Sequence, residues 1–346
     1  MSSKVRCAVI GLGMGKGHAE GYLSTPEAEL VAVADMDAKR MEPFKDKVGE
    51  SNCYTDYKKM LKEVKPDLVS VALPNFLHAP VSIDVLKAGA HVLCEKPMAM
   101  NVKQARQMLD VAHKAKRKLG INLSYRFNPP SRALKDLADS GALGKVYHAY
   151  SMWTRRDGFP GFGGWFGQKK LSGGGPLIDL GVHRLDLAIW LMGNPQPVSV
   201  SGSAHYSIGV PRAKKAGKAF DCEDLASGYV RFKNGASLIF EISWGNHQKD
   251  PELMQTKILG TEGSVIQRNE GGGYNFVAEY FSRKDGHFLS TQVQGTGNIR
   301  HAYAEMVHSV IENKKPMADG EDGLRIQQIL DGLYESARIG KEVRVK

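Results

Sequence analysis

"VIGLGMGKGHAEGY", residues 9–22, decides the fold. The apolar run "VRCAVIG" (5–11) stops in glycines, and a helical pattern near 17–24 follows them. Strand, glycine turn and helix, in that order, present a helix N-terminus to a phosphate. Gly11 suits the tight turn, and Gly13, without a side chain, lets a pyrophosphate approach the backbone amides. The full pattern is G-x-G-x-x-G; here Lys16 holds its last position and Gly15 stands one residue early. The next apolar run, "ELVAVAD" (29–35), ends in Asp35, placed to accept hydrogen bonds from the adenosine ribose. Asp35 could instead cap the "MDAKR" segment, a task open equally to Asp37. Turn, strand and acid in register predict dinucleotide binding.

Apolar runs at "DLVSVAL" (67–73), "HVLCE" (91–95) and the shorter "GINL" (120–123) continue the series. They alternate with helical patterns near 38–47, 56–63, 75–88 and 101–118, which implies a parallel sheet covered by helices. After "SYRFNPP" (124–130) the texture changes. Helices over 131–140 and 177–192 precede strand-like "VSVSGSAHY", "LASGYVRF", "ASLIFEISW" and "QTKILG". "KNGA" (233–236) reads as a hairpin turn, and helices near 298–312 and 322–338 close the chain. The expected class is α/β: an N-terminal doubly wound parallel sheet over 1–123, for the dinucleotide. A C-terminal α+β domain on a largely antiparallel sheet follows over 124–346.

The 346 residues leave room for two domains, and 42% hydrophobic with 24% charged residues fits a soluble globular protein. No apolar run approaches the roughly 18 residues of a membrane span, and the N-terminal run is too short for a signal peptide. The 4 cysteines are scattered without a CxxC, so buried free thiols in a reducing cytoplasm are expected. The net charge of +10 raises a nucleic-acid reading. However, "HKAKRK" (113–118) looks like a solvated helix end and "PRAKKAGK" (211–218) like a mobile loop. Neither is interleaved with aromatics, so no nucleic-acid partner is expected; the excess mildly favours an anionic cofactor or substrate.

Three further stretches carry candidate chemistry. In "ALPNFLHAP" (72–80), Asn75 either caps the next helix or, with His78, lines the site. In "HVLCEKPMAM" (91–100), Pro97 forces the chain out of the sheet and leaves Lys96 on a stiff turn at the strand's carboxyl end. Open α/β sheets bind ligands there, although a lysine taken alone is more often a solvated surface group. In "SGGGPLIDLGVHRLDLAIW" (172–190), Pro176 suits a helix start, and Asp179 and His183 share one helical face. Around them Leu177, Ile178, Leu180, Val182, Leu185 and Leu187 are apolar. A carboxylate and an imidazole there are costly unless hydrogen-bonded or functional. Asp186 reads as structural. No further histidine or cysteine stands at ligand spacing, so no metal site is expected.

Together "VIGLGMGKGH", "VAVAD", "ALPNFLHAP", "CEKPMA", "SYRFNP" and "GGGPLIDLGVHRLDL" resemble the Gfo/Idh/MocA family of NAD(P)-dependent oxidoreductases over almost the whole chain. The resemblance implies a Rossmann domain followed by a substrate-binding and oligomerisation domain. It implies NAD as cofactor, with NADP possible, bound by Gly11, Gly13, Met14, Gly15, Asp35, Leu73, Asn75, His78, Glu95 and Lys96. Lys96 would lie by the nicotinamide and the substrate hydroxyl, with a cis bond to Pro97, and Asp179 and His183 would complete the catalytic set. The shortened glycine turn is the departure from the family pattern.

The implied substrate is a sugar or cyclitol. It would be contacted by Lys96, Asp179 and His183, by Arg126 of "SYRFNP", and by Arg155 and Trp165 of the loop "WTRRDGFPGFGGWFGQKK" (153–170). That loop, with Arg156, reads either as packed aromatics or as a sugar platform. Oxidising a ring secondary alcohol sends a hydride to the nicotinamide and a proton to His183, whose ordinary pKa lies near working pH. Lys96 would stabilise the developing charge on oxygen. Two alternatives stand beside this dehydrogenase. One is a redox glycosidase that transiently oxidises the sugar, commonly at C3, and cleaves by elimination; the other is a non-catalytic sensor. The family pairs through its second sheet, so a homodimer or homotetramer in the cytoplasm is expected, with no membrane partner.

Overall fold

Strand, glycine turn and helix form as the sequence orders them, and the rest of the first sheet builds on that unit. A computed structural model describes residues 4–295 and 300–345. The chain divides into two compact units, one of residues 1–123 with 300–324 and the other of 124–299 with 325–346. The first holds β1 (Val5–Ile10), β2 (Ala28–Ala34), β3 (Cys53–Tyr54), β4 (Leu68–Val71), β5 (His91–Cys94) and β6 (Leu119–Ile121). They pair in parallel in the order β3-β2-β1-β4-β5-β6. The order reverses between β1 and β4, and a crevice at their carboxyl ends is where such sheets bind ligands. All four residues of β4 are buried, and its one polar side chain, Ser70, is hydrogen-bonded to His18 and Tyr22.

The helix Ala302–Ile311 also packs in the first unit. Residues 298 and 299 of the helix expected over 298–312 lie outside the described residues. Met306 and Val307 join Val5, Val9, Leu68 and Leu93 in one core cluster. Gly21 makes room for this helix: a Cβ there would stand 2.2 Å from the Tyr303 ring.

The second unit carries β7 (Val146–Arg155), β8 (Pro197–His205), β9 (Leu225–Phe232), β10 (Ser237–Ser243), β11 (Glu252–Gly260), β12 (Gly263–Asn269), β13 (Phe276–Lys284), β14 (His287–Val293) and β15 (Val343–Arg344). Their order is β14-β13-β12-β11-β7-β10-β9-β8-β15, and only β7 with β10 runs parallel among the described pairs. This is the α+β architecture on a largely antiparallel sheet. "KNGA" closes the β9–β10 hairpin, with Gly235 at φ 84°. The apolar helix Gly181–Leu191 lies on β7, β10 and β11 and is buried at nearly every residue.

"PRAKKAGK" is not a mobile loop. Gly209–Lys215 is helical, because the buried Asp224 carboxylate accepts from the Ile208 and Gly209 N–H groups at 2.5 and 2.7 Å and Ala213 is buried. Among the described residues, no helix is long and apolar enough to cross a membrane. The cysteines are all free thiols, and burial pushes Cys94 and Cys222 up to about 12.

Candidate active site

The glycine turn is braced by Asp35. Its Oδ2 accepts from the Leu12 N–H at 2.7 Å and its Oδ1 from the Asp37 N–H at 2.8 Å. Asp37 is the cap, accepting from the Lys39 N–H at 3.1 Å. Gly11 adopts φ +89°, and a Cβ there would stand 2.4 Å from the Ala72 carbonyl oxygen. Gly15 is pressed against the sheet: a Cβ would lie 2.9 Å from Val9 Cγ1. It thus supplies, one residue early, the helix–strand contact that the last glycine of the full pattern makes. Among the described residues the helix Gly15–Leu23 has no side-chain cap at Met14. Its first-turn amides therefore suit a pyrophosphate, so the residues present fit a dinucleotide. Arg40 Nη1 lies 3.7 Å from Asp35 Oδ2 and 3.5 Å from where a Gly13 Cβ would stand.

The turns after β4 and β5 are tied together by His78. Its ring is buried, with Nδ1 2.6 Å from the Pro97 carbonyl oxygen and Nε2 2.7 Å from that of Leu73. Burial lowers its pKa, against the pull of those two carbonyls. His78, expected to line the site, thus also braces the backbone of both turns. Asn75 opens the helix Asn75–Lys87 and is buried.

Glu95, expected as a cofactor contact, is also hydrogen-bonded within the first unit. Its Oε1 accepts from His18 Nε2 at 2.8 Å and Asn122 Nδ2 at 2.6 Å, and its Oε2 from the Lys96 main-chain N–H at 3.1 Å. Burial alone would raise its pKa; the hydrogen bonds from His18 and Asn122 and the nearby Lys96 charge outweigh that and hold it below the ordinary carboxylate value. The Lys96–Pro97 peptide is cis.

In the second unit the expected helix 177–192 is two segments, Pro176–Asp179 and Gly181–Leu191. Asp179 closes the first and His183 sits in the opening turn of the second. The buried Glu223 sets the start, accepting from the Gly175 and Leu177 N–H groups at 2.9 and 3.1 Å and from the Tyr334 hydroxyl at 2.8 Å. Asp179 is buried, and its Oδ2 accepts from the Trp244 indole at 3.0 Å. The His183 ring is flanked by Tyr125 and Trp153, with centroids 5.1 and 6.0 Å away.

Arg155 continues this wall. Its guanidinium lies 5.0 Å from the Trp153 ring centroid and donates to Glu252 Oε1 at 2.6 Å and to the Tyr274 hydroxyl at 3.1 Å. Trp153 Nε1 donates to the same Glu252 oxygen at 2.6 Å. Trp165 is half-buried, in contact with Phe166 at 4.9 Å between centroids, and Arg156 donates to the Lys249 carbonyl oxygen. Arg126 is otherwise engaged. Its Nε donates to both Asp186 oxygens and its Nη2 to Oδ1 at 2.6 Å, with both side chains buried, which is at odds with a substrate contact. Sequence reading missed Tyr125, Trp153, Trp244 and Glu252. Tyr125 had a signal, as it sits inside "SYRFNP" beside the arginine that was singled out.

Residues 5–123 match the model of the oxidoreductase family with an NAD-binding Rossmann fold, and residues 131–266 match the Gfo/Idh/MocA C-terminal domain. The chain is 34% identical to the D-glucoside 3-dehydrogenase of Escherichia coli K12, over 99% of this chain and 98% of that protein. The chain belongs to the Gfo/Idh/MocA family. The myo-inositol 2-dehydrogenase of Thermotoga maritima is 28% identical over 92% of each chain. A levoglucosan dehydrogenase solved with NADH and levoglucosan shares the fold, with a TM-score of 0.85 at 22% identity, covering 99% of this chain and 100% of that one. This Gfo/Idh/MocA chain is thus an NAD-dependent oxidoreductase, and its uncapped helix N-terminus behind the glycine turn is in keeping with that cofactor.

Proposed function

We propose that the chain oxidises a ring secondary alcohol of a sugar or cyclitol, with Lys96, Asp179 and His183 as the catalytic residues. The observation that carries this is a buried carboxylate and an imidazole on two consecutive, largely apolar helical segments, each seated against aromatic side chains. Bound NAD supplies the hydride acceptor. His183 Nε2 takes the hydroxyl proton, its ring held by Tyr125 and Trp153. Lys96 Nζ hydrogen-bonds the reacting oxygen and stabilises its developing negative charge. Asp179, fixed by Trp244, orients the imidazole or holds a neighbouring hydroxyl. Arg155 and Trp165 meet the remaining hydroxyls and the ring face.

Two relatives named for a glucoside and an inositol support this substrate class. The test is NADH formation across a panel of glucosides, free sugars and inositols, with NAD and NADP compared. Turnover of one of these is expected; no reduction of either cofactor by any of them would overturn the reading.

The relative named for oxidation of a glucoside at position 3 also favours a second reading, since that oxidation acidifies the C–H beside it for elimination. Release of an aglycone without net NADH marks the redox glycosidase; accumulation of NADH with the glycosidic bond intact marks the dehydrogenase. For assembly we read a cytoplasmic homodimer or homotetramer joined through the second sheet, where Tyr147 and Ile239 are 49% and 41% exposed. A monomer by light scattering at micromolar concentration would count against it.

A further inference from the structure

We propose that His18 is a positioning residue for Lys96, acting through Glu95. The inference rests on the reading of Lys96 as catalytic.

A chain of buried polar side chains crosses the first unit beneath the Lys96 turn. Tyr22 Oη lies 2.7 Å from Ser70 Oγ, Ser70 Oγ 2.9 Å from His18 Nδ1, and His18 Nε2 2.8 Å from Glu95 Oε1. Asn122 Nδ2 meets the same Glu95 oxygen at 2.6 Å, and Glu95 Oε2 holds the Lys96 main-chain N–H at 3.1 Å. His18, Tyr22 and Ser70 are fully buried, and Tyr303 packs on the His18 ring at 4.5 Å between centroids. One proton order satisfies every atom: Tyr22 donates to Ser70, Ser70 donates to His18 Nδ1, and His18 Nε2–H donates to the carboxylate.

These groups come from the helix Gly15–Leu23, from β4, and from the residues that follow β5 and β6. The helix whose N-terminus suits the pyrophosphate therefore also carries the donor that fixes the start of the Lys96 turn. An ionised buried carboxylate needs donors on both oxygens, and without His18 its Oε1 keeps only the Asn122 donor among those described. The backbone at Lys96 then loses its tie to the nucleotide-binding helix. A packing role for His18 would change stability alone; a positioning role changes turnover.

The test compares His18→Met, which keeps volume and removes the N–H, with His18→Gln, which returns a donor at similar reach. Both are made in the full chain and measured for kcat, NADH affinity and thermal stability. His18→Met is expected to lower kcat at least about tenfold, as small misplacements of a reacting group do. NADH affinity should stay within about threefold, under 1 kcal/mol, and His18→Gln should return kcat to within about threefold of wild type. Wild-type kcat in His18→Met, or equal loss in both variants, would overturn the proposal. Should His18→Met fail to fold, Glu95→Gln keeps the shape and removes the charge, and wild-type kcat there overturns it equally. Full turnover in Lys96→Ala would instead remove the catalytic reading itself.

Discussion

The Trp244 indole N–H donates to Asp179 Oδ2 at 3.0 Å, with both side chains buried. Trp244 follows β10, and Asp179 closes the short helix that opens the apolar segment. Trp244→Phe keeps most of the ring volume and removes the donor. It should lower kcat by about tenfold, a loss of about 1.4 kcal/mol in the range of one buried hydrogen bond to a charged group. NADH affinity, read by fluorescence titration, should stay unchanged. An unchanged kcat would show that Asp179 needs no fixed orientation.

The second prediction concerns the choice of dinucleotide. Asp35 alone should repel a 2′-phosphate and favour NADH over NADPH by roughly fiftyfold. The structure adds two restraints: both of its oxygens accept main-chain N–H groups, and Arg40 Nη1 lies 3.7 Å from Oδ2. The expected preference for NADH therefore falls to about tenfold, or about 1.4 kcal/mol. Arg40→Ala should widen the gap and Asp35→Ser should narrow it. Competitive titration with both cofactors decides, and tighter NADPH binding by the wild type would contradict the assignment of Asp35.

Stability should carry a pH signature from His91. Burial, then the Arg117 and Lys118 charges, lower its pKa to about 4, and the Lys118 main-chain N–H donates to its Nδ1 at 2.8 Å. Between about pH 4 and the ordinary value near 6.5, the unfolded chain binds a proton that the folded one refuses. Stability contributed by His91 is therefore complete above that window and lost as pH falls through it. Urea midpoints of the wild type should rise across the window, and those of His91→Gln should rise less. Identical slopes would show that other groups set the dependence.

Local pattern and side-chain direction account for what the sequence disclosed. The order strand, glycine turn, helix, then an acid at the end of the next strand, is fixed by neighbours in the chain, so the α/β class was legible from residues 5–35. Gly15 shows the same logic, since its contact with Val9 and Ala72 needs only a missing side chain at the first helical position. The tie through His78 was hidden, because an imidazole in "NFLHAP" reads equally as lining or bracing until Pro97 is brought beside it. Glu95 was hidden for the same reason, with partners 77 and 27 residues away. Arg126 reads as a substrate contact in "SYRFNP", and its buried ion pair shows only when Asp186, 60 residues on, is placed against it. The helix Ala302–Ile311 falls within the second domain expected over 124–346. Met306 and Val307, however, complete the core around β1, a long-range contact that no local period encodes.

The most direct test of the account is NADH formation in Lys96→Ala and His183→Ala with the best substrate of the sugar panel, at saturating NAD. Each variant should lose turnover by at least about a hundredfold, the range for a positioned acid–base group. Both should keep wild-type melting behaviour and NADH binding. Near-wild-type turnover in either would contradict the assignment of Lys96 and His183 to the chemistry.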